Sequence, residues 1–126
     1  MVEMLLVLVI IAVIISIAVP SLLTTRDAAE GGGTVATLRA MQATQSNYFI
    51  QNGRYARLNE LNSFSGDSLG LTVGTTLTKG NYRFFSFPNS ISALKTGYTI
   101  MAVKYRNNRA ISAYLMKEDG VVEAIL

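Results

Sequence analysis

The sequence predicts an α+β fold: a long protruding N-terminal helix, apolar in its first half and amphipathic in its second, packed on an antiparallel β-meander of three to four strands. Three observations predict it. Residues 4–19 carry no charged side chain and a single hydroxyl, Ser16. Val35, Leu38, Met41, Gln45 and Tyr48 then recur at spacings of three and four, the mark of an amphipathic helix. Beyond residue 81 the chain turns aromatic, β-branched and alternating, with tight turn signals between the runs.

The apolar run continues through Pro20-Ser21-Leu22-Leu23, close to the ~20 apolar residues that a bilayer-spanning helix needs. One carboxylate, Glu3, stands in front of it, and the next charge is Arg26. An acid carried to the bilayer centre costs on the order of 2.5–3.5 kcal/mol, and a plain anchor gains nothing from one. Glu3 is therefore a candidate functional residue, expected to meet a cation once the helix packs among its own kind. A signal peptide has a basic start and a shorter apolar stretch; here the start is acidic and the run long, although Ser16-Ile17-Ala18 would pass as a cleavage site. Hydropathy alone leaves a simple membrane anchor open. A helix apolar all round would need a larger protein to bury it.

Pro20 removes a backbone donor and crowds the carbonyl four residues back, which predicts a kink or local unwinding near Ser16–Pro20. The amphipathic helix is expected over 25–51, with Thr34, Thr37, Arg39 and Thr44 off the apolar stripe. Gly31-Gly32-Gly33 is a weak point, each glycine costing roughly 1 kcal/mol relative to alanine, and reads as either a break or a tolerated stretch. A continuous helix over residues 1–50 would extend about 75 Å, too long for a compact domain of this size. Domain organisation follows: 1–24 an apolar transmembrane or filament-core segment, 25–126 a globular domain.

Asn52-Gly53 closes the helix, since glycine adopts the left-handed conformation of a helix C-terminus. A loop is expected over 52–81, rich in Asn, Ser, Gly and Thr, and the sheet over 82–126. Its strands are Tyr82–Phe87, stopped by Pro88; Gly97–Tyr105; Ala110–Lys117, with Ile111, Ala113 and Leu115 on one face; and Val121–Leu126. Arg106-Asn107-Asn108-Arg109 and the Asp119-Gly120 hairpin signal join the last three. The sheet's apolar face has one obvious partner, the stripe of the amphipathic helix.

The chain has 126 residues, no Cys, no His and a net charge of +3. Disulfides and thiol chemistry are excluded, and the commonest general base and transition-metal ligand are missing. No nucleophile–base pair, phosphate loop or ligand cluster supports an enzyme, and no cofactor or metal is expected. Glu118 and Asp119 supply too few oxygens for calcium, so a solvated turn is the better reading. Lys104, Arg106 and Arg109 are the only cationic concentration, a weak candidate for contact with DNA phosphates; a charged edge that protects strand ends is the stronger reading. None of the eleven aromatics precedes Tyr48, and no Asn-x-Ser/Thr sequon occurs.

Glu3, the apolar run, Pro20, Leu22-Leu23, and the stretch Tyr48-Phe49-Ile50-Gln51-Asn52-Gly53-Arg54-Tyr55 followed by Leu58 and Leu61 together resemble the type IV pilins and type II secretion pseudopilins. The resemblance covers the whole chain and is specific mainly in those two places. It departs where the family usually has four residues before the glutamate and this chain has Met1-Val2, where many members carry glycine and this chain has Ala12, and in lacking the C-terminal disulfide loop. The short sheet resembles compact bacterial pilins. What the resemblance implies is a chain already processed by a prepilin peptidase. It would be held in the cytoplasmic membrane and then drawn by an ATPase-driven assembly machinery into a helical filament of identical subunits at the cell surface. Met1, through its amine, Glu3 and Pro20 become the assembly residues; Gly53 and Tyr55 form the helix-end turn that puts an aromatic back on the domain; Asp119 and Gly120 form the closing hairpin turn. Runner-up readings are a pseudopilin or minor pilin of a secretion or DNA-uptake machine and, further off, a single-pass anchored domain.

Overall fold

Helix α1 spans Val2–Asn52 without a break. In the computed structural model, which describes residues 1–126, it is followed by α2 (Leu58–Phe64), β1 (Leu71–Val73), β2 (Thr76–Lys79), β3 (Tyr82–Phe87), a 3-10 turn at Ala93–Lys95, β4 (Thr99–Arg106), β5 (Arg109–Lys117) and β6 (Val122–Ala124). The fold is α+β as the sequence predicts. The six strands lie in the order β1-β2-β3-β4-β5-β6, each pair antiparallel, so the meander is longer than the three to four strands expected.

Two expected weak points of α1 do not interrupt it. The helix runs through Pro20 with no unwound residue between Ser16 and Pro20, and through the glycine triplet as well. Proline forfeits one N–H, that facing the Ser16 carbonyl, while the bonds on either side persist. The triplet is followed within a turn by buried Thr34, Thr37 and Leu38, whose packing supplies what glycine's poor propensity withholds. The chain divides into two compact units, Met1–Gly32 and Gly33–Leu126.

In Gly33–Leu126 the core joins Leu38 and Met41 of α1, Leu58 and Leu61 of α2, and Leu77, Tyr82, Phe84, Ile100, Ala102 and Met116 of the sheet. Fully burying a Leu, Ile, Phe or Met side chain contributes about 1.5–3 kcal/mol, which makes this layer the source of the unit's stability. β3 shows the period-2 pattern directly: Tyr82, Phe84 and Ser86 are buried, Arg83 and Phe87 are exposed, and Phe85 is half-buried. On β4 the same face carries Ile100, Ala102 and Lys104. The row Leu77–Phe84–Ala102–Tyr114–Ala124 runs in register across five strands.

The buried face of α1 is more polar than expected. Thr34 and Thr37, placed off the stripe by their chemistry, are 6% exposed, whereas Val35 is only half-buried. The Thr37 hydroxyl donates to the Gly33 carbonyl at 2.9 Å, which meets its hydrogen-bonding need within the helix and lets it pack as an apolar residue. On β5 the face toward the core is carried by Met116 and Tyr114; Ile111, Ala113 and Leu115 lie on the other side of the sheet.

The expected loop 52–81 holds three elements. Asn62, buried at the end of α2, organises it: its amide donates to the Gly70 carbonyl (2.9 Å) and the Thr72 hydroxyl (2.8 Å), and its oxygen accepts the Leu69 N–H (3.1 Å). Gly70 sits at φ 152°, where a β-carbon would press on the Thr78 carbonyl. Only glycine lets the chain enter β1 at that spacing.

Candidate assembly site

The apolar half of α1 is a surface, not a core. From Val2 to Leu23 each large apolar side chain is exposed, including Leu5 at 63%, Ile10 at 52% and Leu22 at 69%. The segment is long and apolar enough to cross a membrane. Three hydroxyls in it and just after it are turned inward on the backbone: Ser16 donates to Val13 (2.7 Å), Thr24 to Pro20 (3.1 Å) and Thr25 to Ser21 (2.9 Å). Back-bonding satisfies these groups without water, a requirement for any helix surface taken into hydrocarbon or into a packed bundle.

Glu3 lies in the first turn of α1, with the exposed Met1 ahead of it. An acid there is favoured by the positive end of the helix dipole, by about 0.3–1 kcal/mol at an exposed site. The carboxylate is exposed and stands next to Val2, Met4, Leu5 and Leu6. Glu3 is the single charged side chain between Val2 and Leu23. Pro20, the second residue singled out, is exposed within the same segment and removes the backbone donor to Ser16.

The end of α1 is fixed by a tie that the sequence reading only half located. Gly53 adopts φ 73° and its N–H donates to the Phe49 carbonyl at 2.8 Å, the glycine closure anticipated. Gln45, on the buried stripe, then clasps the returning chain: its amide donates to the Ala56 carbonyl and its oxygen accepts the Ala56 N–H, both at 2.8 Å. Gln45 and Ala56 are both fully buried. The pair satisfies a buried peptide group as a strand would. A glutamine in an apolar stripe was the signal for such a partner.

Tyr55 does return onto the domain. Its ring lies 4.8 Å from Phe49 and 4.7 Å from Tyr98, and its N–H donates to the Leu94 carbonyl. Burial pushes the Tyr98 hydroxyl well above the ordinary tyrosine range, so it stays protonated. Beside it Arg54 donates to Glu60 at 2.7 Å, sits over the Tyr48 ring at 5.4 Å, and Tyr48 donates to the same carboxylate. The Arg54 hydrogen bond holds the Glu60 carboxyl below its usual range, against the opposing effect of burial. Glu60 also accepts the Arg57 N–H, which starts α2.

The reversal after β5 falls one residue earlier than the Asp119-Gly120 turn expected: the Gly120 N–H donates to the Lys117 carbonyl at 3.0 Å, which makes Glu118 and Asp119 the central residues, Gly120 follows at φ 79°, and Asp119 accepts the Val121 N–H at 3.0 Å. Gly120 lies so close to the Gln42 side chain of α1 that an added β-carbon would collide with it. The cationic group is divided. Arg106 and Arg109 are exposed, but Lys104 is 8% exposed on the core face of β4 and is removed from any surface contact. The alternation of β4 decides this, placing Lys104 with Ile100 and Ala102; beyond it the register shifts where Ile111 of β5 is left without a β4 partner. Arg83, one strand over, is the exposed cation nearest in register, and its guanidinium lies 5.8 Å from the Tyr105 ring centre.

No protein-family model, curated protein or solved structure matches the chain.

Proposed function

We propose that the chain is the structural subunit of a helical, type IV pilus-like filament, stored in a membrane by residues 1–24 and polymerised through them. The observation that carries this reading is the uncovered apolar helix surface of Val2–Leu23 with one acid, Glu3, at its head. The core that stabilises Gly33–Leu126 draws no residue from that segment, so the segment is free to change surroundings while the domain stays folded. In lipid it has no hydrophobic drive to associate. Drawn out, it must bury its apolar surface against neighbours, at ~25 cal/mol per Å².

Glu3 makes the difference between a filament subunit and an anchor. In a bundle of such segments it pairs with the N-terminal amine of an adjacent copy, which fixes the axial stagger and removes an uncompensated charge. That contact joins different surfaces of two copies and does not close, so it propagates as a fibre. The inward hydroxyl bonds of Ser16, Thr24 and Thr25 suit both environments.

Electron microscopy of material sheared from producing cells, with mass spectrometry of the fibres, tests the proposal. Fibres whose main component is this chain are expected. A chain that stays wholly in the membrane fraction, with none in sheared material, overturns it in favour of a single-pass anchored domain.

A further inference from the structure

The β4–β5 tip is built in a way that its own fold disfavours. Asn107 and Asn108, at φ 49° and 63°, make a two-residue turn that brings Arg106 and Arg109 into direct register as Cα partners. Like charges directly opposite on antiparallel strands repel and destabilise the hairpin. Both arginines are exposed and neither has an intramolecular ion pair. Arg83 adds a third cation from the adjoining strand, its guanidinium over the Tyr105 ring, and Tyr105 itself is 44% exposed. Residues 79–83 and 103–112 contain no acid. No acid of the surrounding strands offsets this opposition, and an anionic partner from outside would relieve it.

The other end of β5 has the complementary character. Lys117 is outnumbered there by Glu118, Asp119 and Glu123, all exposed and without an intramolecular ion pair. Between them lies a shallow hollow lined by Leu115, Lys117, Asp119, Val121 and Glu123. Leu115 and Val121 offer apolar surface beside the Asp119 and Glu123 carboxylates, which outnumber Lys117 in the same hollow; this suits arginine, whose methylene stem packs on apolar surface while its guanidinium engages carboxylate oxygens. The two ends are separated by the length of β5, nine residues or about 26 Å, so one molecule cannot join its own tip to its own hollow.

We infer that the Arg106/Arg109 tip of one copy docks on the Asp119/Glu123 hollow of a second copy, a head-to-tail contact between globular domains. It rests on the filament reading and deepens it by naming a second contact besides Glu3. Because the two surfaces differ, the contact is heterologous and repeats along a fibre instead of closing into a dimer. Its charges set the rotational register of neighbouring domains, which an all-apolar helix bundle leaves poorly specified.

The test is charge exchange in the full chain, read as the ratio of chain in sheared fibres to chain in membranes. Arg106→Glu/Arg109→Glu keeps the like-charge opposition and so leaves the domain's unfolding midpoint near its parental value. Glu118→Lys/Glu123→Lys reverses the other end through Glu123 of the hollow and its neighbour Glu118, and keeps the Asp119 carboxylate that accepts the Val121 N–H. Each pair is expected to lower the ratio by about tenfold or more, and the four substitutions together to restore it to within about threefold, the non-additivity that marks groups in contact. Arg106→Gln/Arg109→Gln removes the repulsion, so it is expected to raise the unfolding midpoint and still lower the ratio; this guards against a merely misfolded variant. Full assembly of either reversed pair overturns the contact, as does a four-fold variant no better than the two losses multiplied. Normal assembly of Arg106→Glu/Arg109→Glu with loss of binding to a labelled 20-base-pair duplex overturns it in favour of nucleic acid as the partner. Absence of fibres from the parental chain removes the filament reading itself; parental fibres with indifferent variants remove only this contact.

Discussion

Replacing Gln45 by leucine is the sharpest probe of how the domain holds the end of α1. Leucine keeps most of the volume but leaves the Ala56 N–H and carbonyl, both fully buried, without the two 2.8 Å bonds they now make. Each orphaned buried group costs about 1–3 kcal/mol, so the pair loses about 2–6 kcal/mol. Exchanging the amide for two methyl-sized groups returns about 0.8 kcal/mol each. The net expectation is a loss of about 0.5–4 kcal/mol, centred near 2. With a urea m-value of about 1–3 kcal/mol/M, the midpoint falls by roughly 1 M. The assay is urea unfolding of the full chain in mild detergent, followed by near-ultraviolet circular dichroism of the tyrosines, three of which (Tyr48, Tyr55 and Tyr98) lie around this tie. Gln45→Glu supplies the control on mechanism. Ionised, the new carboxylate accepts from the Ala56 N–H but has nothing to donate to the Ala56 carbonyl, and it is a buried charge. Its deficit is therefore expected to exceed that of leucine at neutral pH and to shrink on acidification, as protonation restores the donor. An unchanged midpoint for Gln45→Leu, or a deficit in Gln45→Glu that does not respond to pH, refutes the reasoning.

Glu3→Ala is expected to leave membrane insertion intact or improved and to abolish incorporation into fibres, because the neighbour's amine is left buried alone at about 3–5 kcal/mol per subunit; equal mutant-to-parental ratios in fibres and membranes, in cells carrying both chains, would count against it. A chain beginning at Thr25 is expected to be a soluble monomer with one cooperative thermal transition, since the core lies within Gly33–Leu126; a non-cooperative melt would contradict it. Glu60 has a folded-state pKa below its ordinary value of 4.5, chiefly from the Arg54 hydrogen bond. The folded state thus holds the proton more weakly than the unfolded one, and the stabilisation is complete above the unfolded value and lost as pH falls through the folded one. Thermal midpoints should decline more steeply on acidification for the parental chain than for Glu60→Gln; parallel profiles would show that the Arg54–Glu60 pair does not matter.

Some of this architecture is legible in the residues alone. An apolar run of this length headed by one acid admits few structures, and α1 is where it was expected. β3 coincides with its predicted range, Tyr82–Phe87, and β4 to β6 fall within a residue or two of theirs, because alternation, proline and Asp-Gly turns are local signals. Alternation separates two faces of β4, but Met101 and Val103 are as apolar as Ile100 and Ala102, so which face joins the core was not readable. What local chemistry could not decide is what depends on a partner distant in sequence. The β1–β2 hairpin consists of two strands of three and four residues, rich in Thr and exposed on β1; β2 exists because β3 pairs with it, and β1 because Asn62 holds its start. Thr34, Thr37 and Gln45 are buried because each found a hydrogen-bond partner, a fact invisible to a hydrophobicity pattern. Lys104 is inside, whereas Arg106, two residues further along β4, is exposed at the β4–β5 tip. The opposition of Arg106 and Arg109, and the length of β5 that separates them from Asp119 and Glu123, likewise exist only in three dimensions. Turn geometry and strand register set them, and sequence spacing constrains those properties without fixing which charges meet.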